Sequence, residues 1–148
     1  MSVSGFVKKI KDIMRNDAGV NGDAQRIEQL VWILFLKVYD AKEEEWELHN
    51  KRYKSIIPEE FRWRNWAIDN KDGKAMTGET LADFIDNKLF PTLKNLEINE
   101  HTTMNKVIVK SAFDDNNNYM KNGVLLRQMI NVVNDLNFDG YKDRHDFG

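Results

Sequence analysis

The chain has 148 residues, of which 41% are hydrophobic and 31% charged, and its formal net charge is −2. Such a length suits one domain that buries about two-thirds of its unfolded surface, and the composition is typical of a folded chain. The absence of cysteine excludes a disulfide framework, a cysteine nucleophile and a thiolate metal site. Because there is no global positive charge, nucleic-acid binding would require a local basic patch.

No segment predicts membrane insertion or secretion. The N-terminus lacks an apolar stretch behind a basic start, and the longest apolar run, Leu30–Leu36, is far shorter than the ~20 residues that span a bilayer. The lack of cysteine also fits a reducing compartment. We therefore expect a cytoplasmic protein with no membrane partner.

The first two predicted helices carry the strongest periodic patterns. Apolar residues at spacings of three and four predict a helix over Ser4–Met14. A second helix is predicted from Asp23 to Leu48, and it is apolar on nearly all sides between Ile27 and Tyr39. We interpret that part as a central rod buried on several sides, and the acidic residues after Tyr39 as a half that projects into solvent. One face of the rod is formed by Ile27, Leu30, Val31, Leu34 and Val38.

The rest of the chain predicts shorter elements. Residues 49–75 form an irregular connection with one helical piece at Pro58–Phe61. A third helix begins at Thr77 or Thr80 and is expected to end or kink at Phe90–Pro91. The last helix spans Asn122–Leu136.

Residues 102–113 predict a short fourth helix, although the β-branched run Val107–Val109 also fits a strand. The predicted fold class is mainly α. We expect one helical domain over residues 1–148, a bundle of about five helices around a central buried helix, with at most one minor strand pair.

The chain offers no identifiable catalytic centre. Its three histidines, His49, His101 and His145, are not at ligand spacing, no serine lies in a G-x-S-x-G turn, and no glycine-rich phosphate loop occurs. We therefore predict no catalytic residue and no metal ligand.

A possible calcium loop begins at Asp135, with Asn137, Asp139 and Asp146 as further oxygen ligands. Lys142 stands where an apolar residue is expected, and the sequence ends before an exiting helix. A polar helix end followed by a turn is the favoured interpretation. A calcium-responsive binding module remains an alternative.

A basic and aromatic stretch is the main candidate for nucleic-acid contact. Between Asn50 and Trp66 there are five basic and two acidic residues. Cations can neutralise phosphates, and aromatic rings can stack on bases. The same composition also fits the alternative of a solvated loop that Trp63 and Trp66 anchor to the core. The predicted DNA-binding residues are Lys51, Arg52, Lys54, Arg62 and Arg64, with a second patch of Lys8, Lys9 and Lys11.

Trp46 lies among acidic residues beyond the apolar part of the second helix. It is a candidate contact for a protein partner. The alternative is a side chain that folds back onto Tyr53 or its neighbours.

Several segments together resemble the N-terminal helical domain of the M (modification) subunit of type I restriction-modification systems. Asp17–Val20 followed by Glu28–Asp40 is similar to that family's turn and apolar second helix, which ends in an L-F-L-K-like segment. Pro58–Trp63 resembles its P-x-x-[FY]-R-W segment. Asp139–Tyr141 and Asp146–Gly148 resemble the passage into its catalytic domain.

The resemblance implies a larger enzyme. The complete M subunit is an S-adenosylmethionine-dependent adenine-N6 DNA methyltransferase that works as two M subunits with one specificity subunit, to which restriction subunits can bind. Its catalytic domain carries a glycine-rich cofactor loop and an [ND]-P-P-[FYW] motif for the flipped adenine, and this chain contains neither. We therefore expect an excised N-terminal domain that binds no cofactor itself, with the catalytic domain downstream.

In this family the helical module helps two M subunits close around DNA and contacts the specificity subunit. The implied role is a non-catalytic DNA-clamping and subunit-assembly domain, although the resemblance assigns no residue to DNA. From charge alone, we expect that alanine at all five basic residues between Lys51 and Arg64 weakens DNA binding without unfolding the chain. A free-standing helical module that binds a protein through its second helix is the other alternative.

Overall fold

A computed structural model describes residues 2–69 and 74–136, and those residues are mainly helical. No strand occurs among them, so the predicted fold class is confirmed, and the strand alternative for Val107–Val109 is wrong because these residues lie inside a helix. The helices are α1 Val3–Arg15, α2 Asp23–His49, α3 Trp63–Trp66, α4 Gly78–Phe84, α5 Phe90–Lys94, α6 Met104–Asp114 and α7 Gly123–Asn134. A 3₁₀ turn spans Glu59–Phe61 and a π turn spans Ile85–Leu89.

The long helix α2 packs against α3, α6 and α7. Trp32, Ile33 and Leu36 are buried, and the Trp32 ring meets Phe90 edge-on at a centroid distance of 5.0 Å. Such aromatic contacts add to the large apolar area that each ring removes from water. The predicted central helix is therefore confirmed on this side.

One predicted face of α2 is not buried. Ile27, Val31 and Val38 are 63%, 45% and 40% exposed. The rod is thus buried on several sides, as expected, but not along these three residues. Periodic apolarity identifies a face that can pack against a partner, but it does not show that the partner belongs to the same chain.

The acidic half of α2 also differs from the expectation. It does not project freely into solvent, since Asp40 and Glu43 are only 6% and 1% exposed. The following residues fold back over it: Tyr53 donates to Glu43, and Arg64 donates to Asp40. Periodicity alone could not show this, because the cations that cover the carboxylates lie more than ten residues further along the chain.

The third predicted helix does not end at Pro91. Helix α4 continues through the π turn into α5, which reaches Lys94. In the π turn the Phe90 N–H bonds to the carbonyl of Ile85, five residues earlier. We attribute the continuity to this wider turn, which gives room for a proline ring that would otherwise crowd the preceding turn.

The segment Asp17–Val20 joins α1 to α2 and fixes the loop that precedes α7. The Asp17 carboxylate accepts backbone hydrogen bonds from Gly19 at 2.8 Å, and from Lys121 and Asn122 at 2.9 Å each. A Cβ atom on Gly19 would lie 2.0 Å from the carbonyl oxygen of Tyr119. The aspartate and the glycine are thus required by close packing of this loop.

A second polar contact holds the asparagine-rich loop. Gln29, fully buried on α2, donates to the Asn118 side chain at 2.8 Å and accepts from the Tyr119 backbone at 2.7 Å. The Tyr119 hydroxyl donates to Glu28. Asn118 and Tyr119 are therefore part of the packed structure.

We predict that Asp17→Ala lowers the free energy of unfolding by about 1–3 kcal/mol, because three backbone N–H groups lose their acceptor and the loop loses its link to the end of α1. Urea denaturation of the chain measures this. The matched control is Asp12→Ala, whose carboxylate lies on the exposed side of α1 and pairs with Arg15 at 3.8 Å. Equal stability of the two variants would contradict the role of Asp17.

Candidate functional site

An arginine–carboxylate network covers the acidic end of α2. Its members are Asp40, Glu43, Glu47, Tyr53, Glu59, Arg62 and Arg64. The Arg62 guanidinium lies at the centre. Its Nε is 3.5 Å from Oε1 of Glu43, another nitrogen pairs with Glu47, and a third is 3.4 Å from Glu59.

Arg64 forms the second half of the network. Its Nε donates to Oδ1 of Asp40 and its Nη1 to Oε2 of Glu47, both at 2.9 Å. Glu47 therefore binds both guanidinium groups. The Tyr53 hydroxyl donates to Oε2 of Glu43 at 2.5 Å and closes the network on the side of the following turn.

The contacts in the network lower the pKa of a carboxylate and raise the pKa values of an arginine and two tyrosines. Hydrogen bonds from Arg62, and then from Arg64, lower the pKa of Glu47. Burial opposes the charge of Arg64, but hydrogen bonds to Glu47 and Asp40 outweigh it and raise its pKa. Burial, followed by the hydrogen bond to Glu43, raises the pKa of Tyr53. Burial, followed by the charge of Glu43, raises the pKa of Tyr39 to about 12.

Two of the three predicted DNA-binding arginines, Arg62 and Arg64, are thus already engaged within the chain. Arg62 is buried, and its side chain faces three carboxylates. DNA contact by Arg62 and Arg64 stays a prediction. The expectation that both can be replaced without loss of folding conflicts with these ion pairs, because removal of one partner leaves a buried charge uncompensated.

The other predicted cations are exposed. Lys51, Arg52 and Lys54 follow α2, in a turn where the Arg52 N–H donates to the Asn50 side chain at 3.0 Å. The second patch, Lys8, Lys9 and Lys11, lies on the exposed side of α1. These six side chains are open to a phosphate backbone, in contrast to Arg62 and Arg64.

The aromatic residues of this region are packed inward. Trp63 and Trp66 are buried; their indole N–H groups donate to the Asn134 side chain at 2.9 Å and to the Phe61 carbonyl at 3.0 Å. This agrees with the interpretation of both as anchors of the connection. Trp46 is half-buried, with its ring 5.7 Å from Tyr39 and 5.8 Å from Tyr53. The Trp46 ring thus folds back onto Tyr53, as the alternative interpretation expected. Its contact with a protein partner stays a prediction.

Two important basic residues were not predicted from the sequence. Arg127 of α7 is buried and donates to the carbonyls of Met76 and Ala67, both at 2.7 Å. Lys37 of α2 donates to the carbonyls of Val133, Asn134 and Leu136 at 2.7, 3.0 and 2.8 Å. The sequence indicates the role of these two residues only by their position, a cation inside an otherwise apolar helical stretch. A cation in such a position needs acceptors when it is buried.

No metal site occurs within residues 2–69 and 74–136, where no group of three or more histidine or acidic side chains could hold an ion. Asp135, the first residue of the possible calcium loop, is the C-cap of α7. The other predicted ligands, Asn137, Asp139 and Asp146, lie outside the described residues. None of the described helices is long and apolar enough to cross a bilayer.

Comparison with known proteins identifies the family. The model of the HsdM N-terminal domain matches residues 3–133. The chain belongs to the HsdM N-terminal domain family. It is also 50% identical, over all 148 residues, to the type I restriction enzyme EcoEI methylase subunit of Escherichia coli. The resemblance seen in the sequence is therefore confirmed.

Two solved structures share the fold. One is described as a modification subunit of a type I restriction enzyme from Vibrio vulnificus YJ016, with 31% identity and a TM-score of 0.80 over 97% of this chain. The other comes from work on complex assembly and conformational transition of the type I R-M system, with 32% identity and a TM-score of 0.77 over 93% of this chain.

The chain corresponds to only part of these relatives. It spans 30% of the EcoEI methylase subunit and 32% and 26% of the two solved chains. Properties of the whole methylase subunit therefore belong to a longer polypeptide.

We predict that Arg62→Met destabilises the chain by about 3–5 kcal/mol, because Glu43 and Glu47 lose their shared cation. Arg52→Met is the matched control, since Arg52 is exposed and should change stability by less than about 0.5 kcal/mol. Urea denaturation of both variants measures the difference. A fully stable Arg62→Met chain would contradict a structural role for the network.

The raised tyrosine pKa values predict loss of stability in alkali. The unfolded state releases the Tyr39 proton at a pKa of 10.0 and the folded state at about 12, so this contribution is complete below pH 10.0 and is lost as the pH rises through about 12. Urea midpoints across this range measure the decline. Tyr39→Phe, which cannot ionise, should show a shallower decline. An identical pH dependence in both proteins would show that Tyr39 does not contribute.

Proposed function

We propose that this chain is the non-catalytic N-terminal domain of the M subunit of a type I restriction-modification adenine-N6 DNA methyltransferase, where it clamps DNA and supports subunit assembly. The single observation that supports this most strongly is the 50% identity to the EcoEI methylase subunit along the entire 148 residues. The helical fold, which closely matches two solved type I subunits, supports the same proposal.

In this proposal the chemistry lies elsewhere in the subunit. The chain has neither the glycine-rich cofactor loop nor the P-P-aromatic motif by which such methyltransferases bind their methyl donor and the flipped base. S-adenosylmethionine would therefore bind to the remainder of the full-length subunit. The partners of the domain would be DNA, the specificity subunit and a second M subunit, with restriction subunits added to the complex in the cytoplasm.

The exposed cations are the part of the surface best suited to DNA. Lys51, Arg52 and Lys54 are exposed, whereas Arg62 and Arg64 are neutralised by neighbouring carboxylates. A cation that already faces a carboxylate must break that contact before it can bind a phosphate. We therefore assign phosphate contact chiefly to these three residues, with Lys8, Lys9 and Lys11 as a second contact.

Protein contact would involve the end of α2. Trp46 is half-buried, so part of its ring remains open to a partner. Tryptophan is among the residues that most often dominate the binding energy of protein interfaces. We propose Trp46 as a contact for a protein partner.

We predict that alanine at Lys51, Arg52 and Lys54 weakens DNA binding by the assembled methyltransferase. The slope of log K against log salt should fall by up to about 5, since the two M subunits together lose six cations and each lost phosphate contact removes about 0.9 of a released counterion. Fluorescence anisotropy with duplex DNA at several salt concentrations measures both quantities. Unfolding is not expected, since the side chains are exposed.

The matched control replaces three exposed lysines outside the predicted patches, Lys42, Lys74 and Lys88, with alanine. It makes the same change in net charge. If both triple variants lose affinity and slope equally, only overall charge matters and the proposed patch is rejected. An unchanged slope in the first variant rejects it as well.

A further inference from the structure

An exposed apolar stripe runs along the first half of α2. We call Ile27, Val31, Leu34 and Val38 the α2 stripe. Three of its members are among the exposed large hydrophobic residues, and Leu34 is half-buried. The four positions follow one another at intervals of four, three and four residues. This is the heptad spacing by which one helix packs against another along a seam.

The side chains in the stripe suit a helical partner. Valine occupies two alternate positions of the seam and leucine the position between them, a combination that packs well as knobs into holes between two helices. Two polar residues that border the stripe are engaged within the chain, since Glu28 accepts from Tyr119 and Lys37 binds the end of α7. A partner would therefore meet mainly apolar surface.

The end of α7 is fixed beside this stripe. The Lys37 ammonium donates to the carbonyls of Val133, Asn134 and Leu136, and Lys37 directly precedes Val38 in α2. Leu136 also packs against the core. The backbone at Leu136 is thus held close to the middle of α2.

We propose that the α2 stripe is covered, within the same subunit, by a helix from the remainder of the methyltransferase polypeptide. This inference rests on the proposed function. The chain is 30% of its methylase relative, so more than twice its length is present in the whole subunit to supply the helix. A segment of the same polypeptide has a higher effective concentration at the stripe than a separate molecule, which favours it as the partner.

The test measures thiol accessibility in the complete subunit and in the 148-residue chain. The chain has no cysteine, so Val31→Cys and Val38→Cys each introduce one reporter into it. Maleimide labelling at these positions is followed by peptide mass spectrometry, which identifies the site even where the rest of the subunit has cysteines. Met104→Cys, an exposed position on α6, is the control.

We expect both stripe cysteines to be labelled rapidly in the 148-residue chain and at least about tenfold more slowly in the dilute complete subunit, because a covered site reacts only when it opens. This protection should not depend on subunit concentration. The Met104→Cys rate reports any general difference in reactivity between the two preparations.

Three results would overturn the inference. Equal labelling rates in the 148-residue chain and in the complete subunit would show that nothing covers the stripe. Protection already present in the 148-residue chain would show that no downstream helix is needed. Protection that increases with subunit concentration would identify a second copy as the partner.

The DNA measurement separates this inference from the proposed function. A subunit that is labelled freely at Val38→Cys, but whose assembled enzyme still responds to the Lys51, Arg52 and Lys54 variant, rejects the covering helix and retains the proposed function. A protected stripe in an enzyme that methylates no DNA would reject the function instead.

Discussion

A carboxylate that is 1% exposed, as Glu43 is, requires a cation or a donor beside it, because an unpaired charge in that position would be neutralised or would unfold the chain. Arg62 and Tyr53 meet this requirement for Glu43. To reach it, the chain after α2 has to turn back along the helix. The burial of this one carboxylate thus accounts for the position of the connection, and with it for the place where Lys51 and Arg52 become exposed.

The polar residues of α7 have a similar effect on the opposite side of the connection. Arg127 binds the carbonyls of Met76 and Ala67, and Asn134 binds both the Trp63 indole and the Ala67 carbonyl. Burial lowers the pKa of Arg127, yet the guanidinium has carbonyl acceptors in place of water. Irregular backbone can be buried only where its carbonyls find such donors. Side chains on a regular helix therefore determine the path of a segment that has little regular structure of its own.

The sequence allowed the helices to be predicted because their apolar spacing is a local property. The limits of α1, α2 and α7 agree with the prediction to within about two residues. The continuation through Pro91 depended on a π turn, for which the apolar pattern gave no signal. The pairing of Arg62 with Glu43, nineteen residues earlier, depends on how the chain returns, so the arginines could be recognised as basic but not as engaged. The same limit applies to the α2 stripe, since spacing identified an apolar face without its partner.

The length of α2 separates the proposed phosphate contact, which follows His49, from the contact between Lys37 and the end of α7. His49 is twelve residues beyond Lys37, which at about 1.5 Å per residue is a distance of about 18 Å along α2. The exposed cations that follow His49 therefore lie well away from the end of α7. That separation exceeds the Debye length of about 8 Å at physiological ionic strength. Phosphate contact at one end of α2 would therefore change the electrostatics at Lys37 very little. Any influence of that contact on the other end of α2 would have to pass through movement of the helix as a rigid body, which the packing of Trp32 and Leu36 against the core supports.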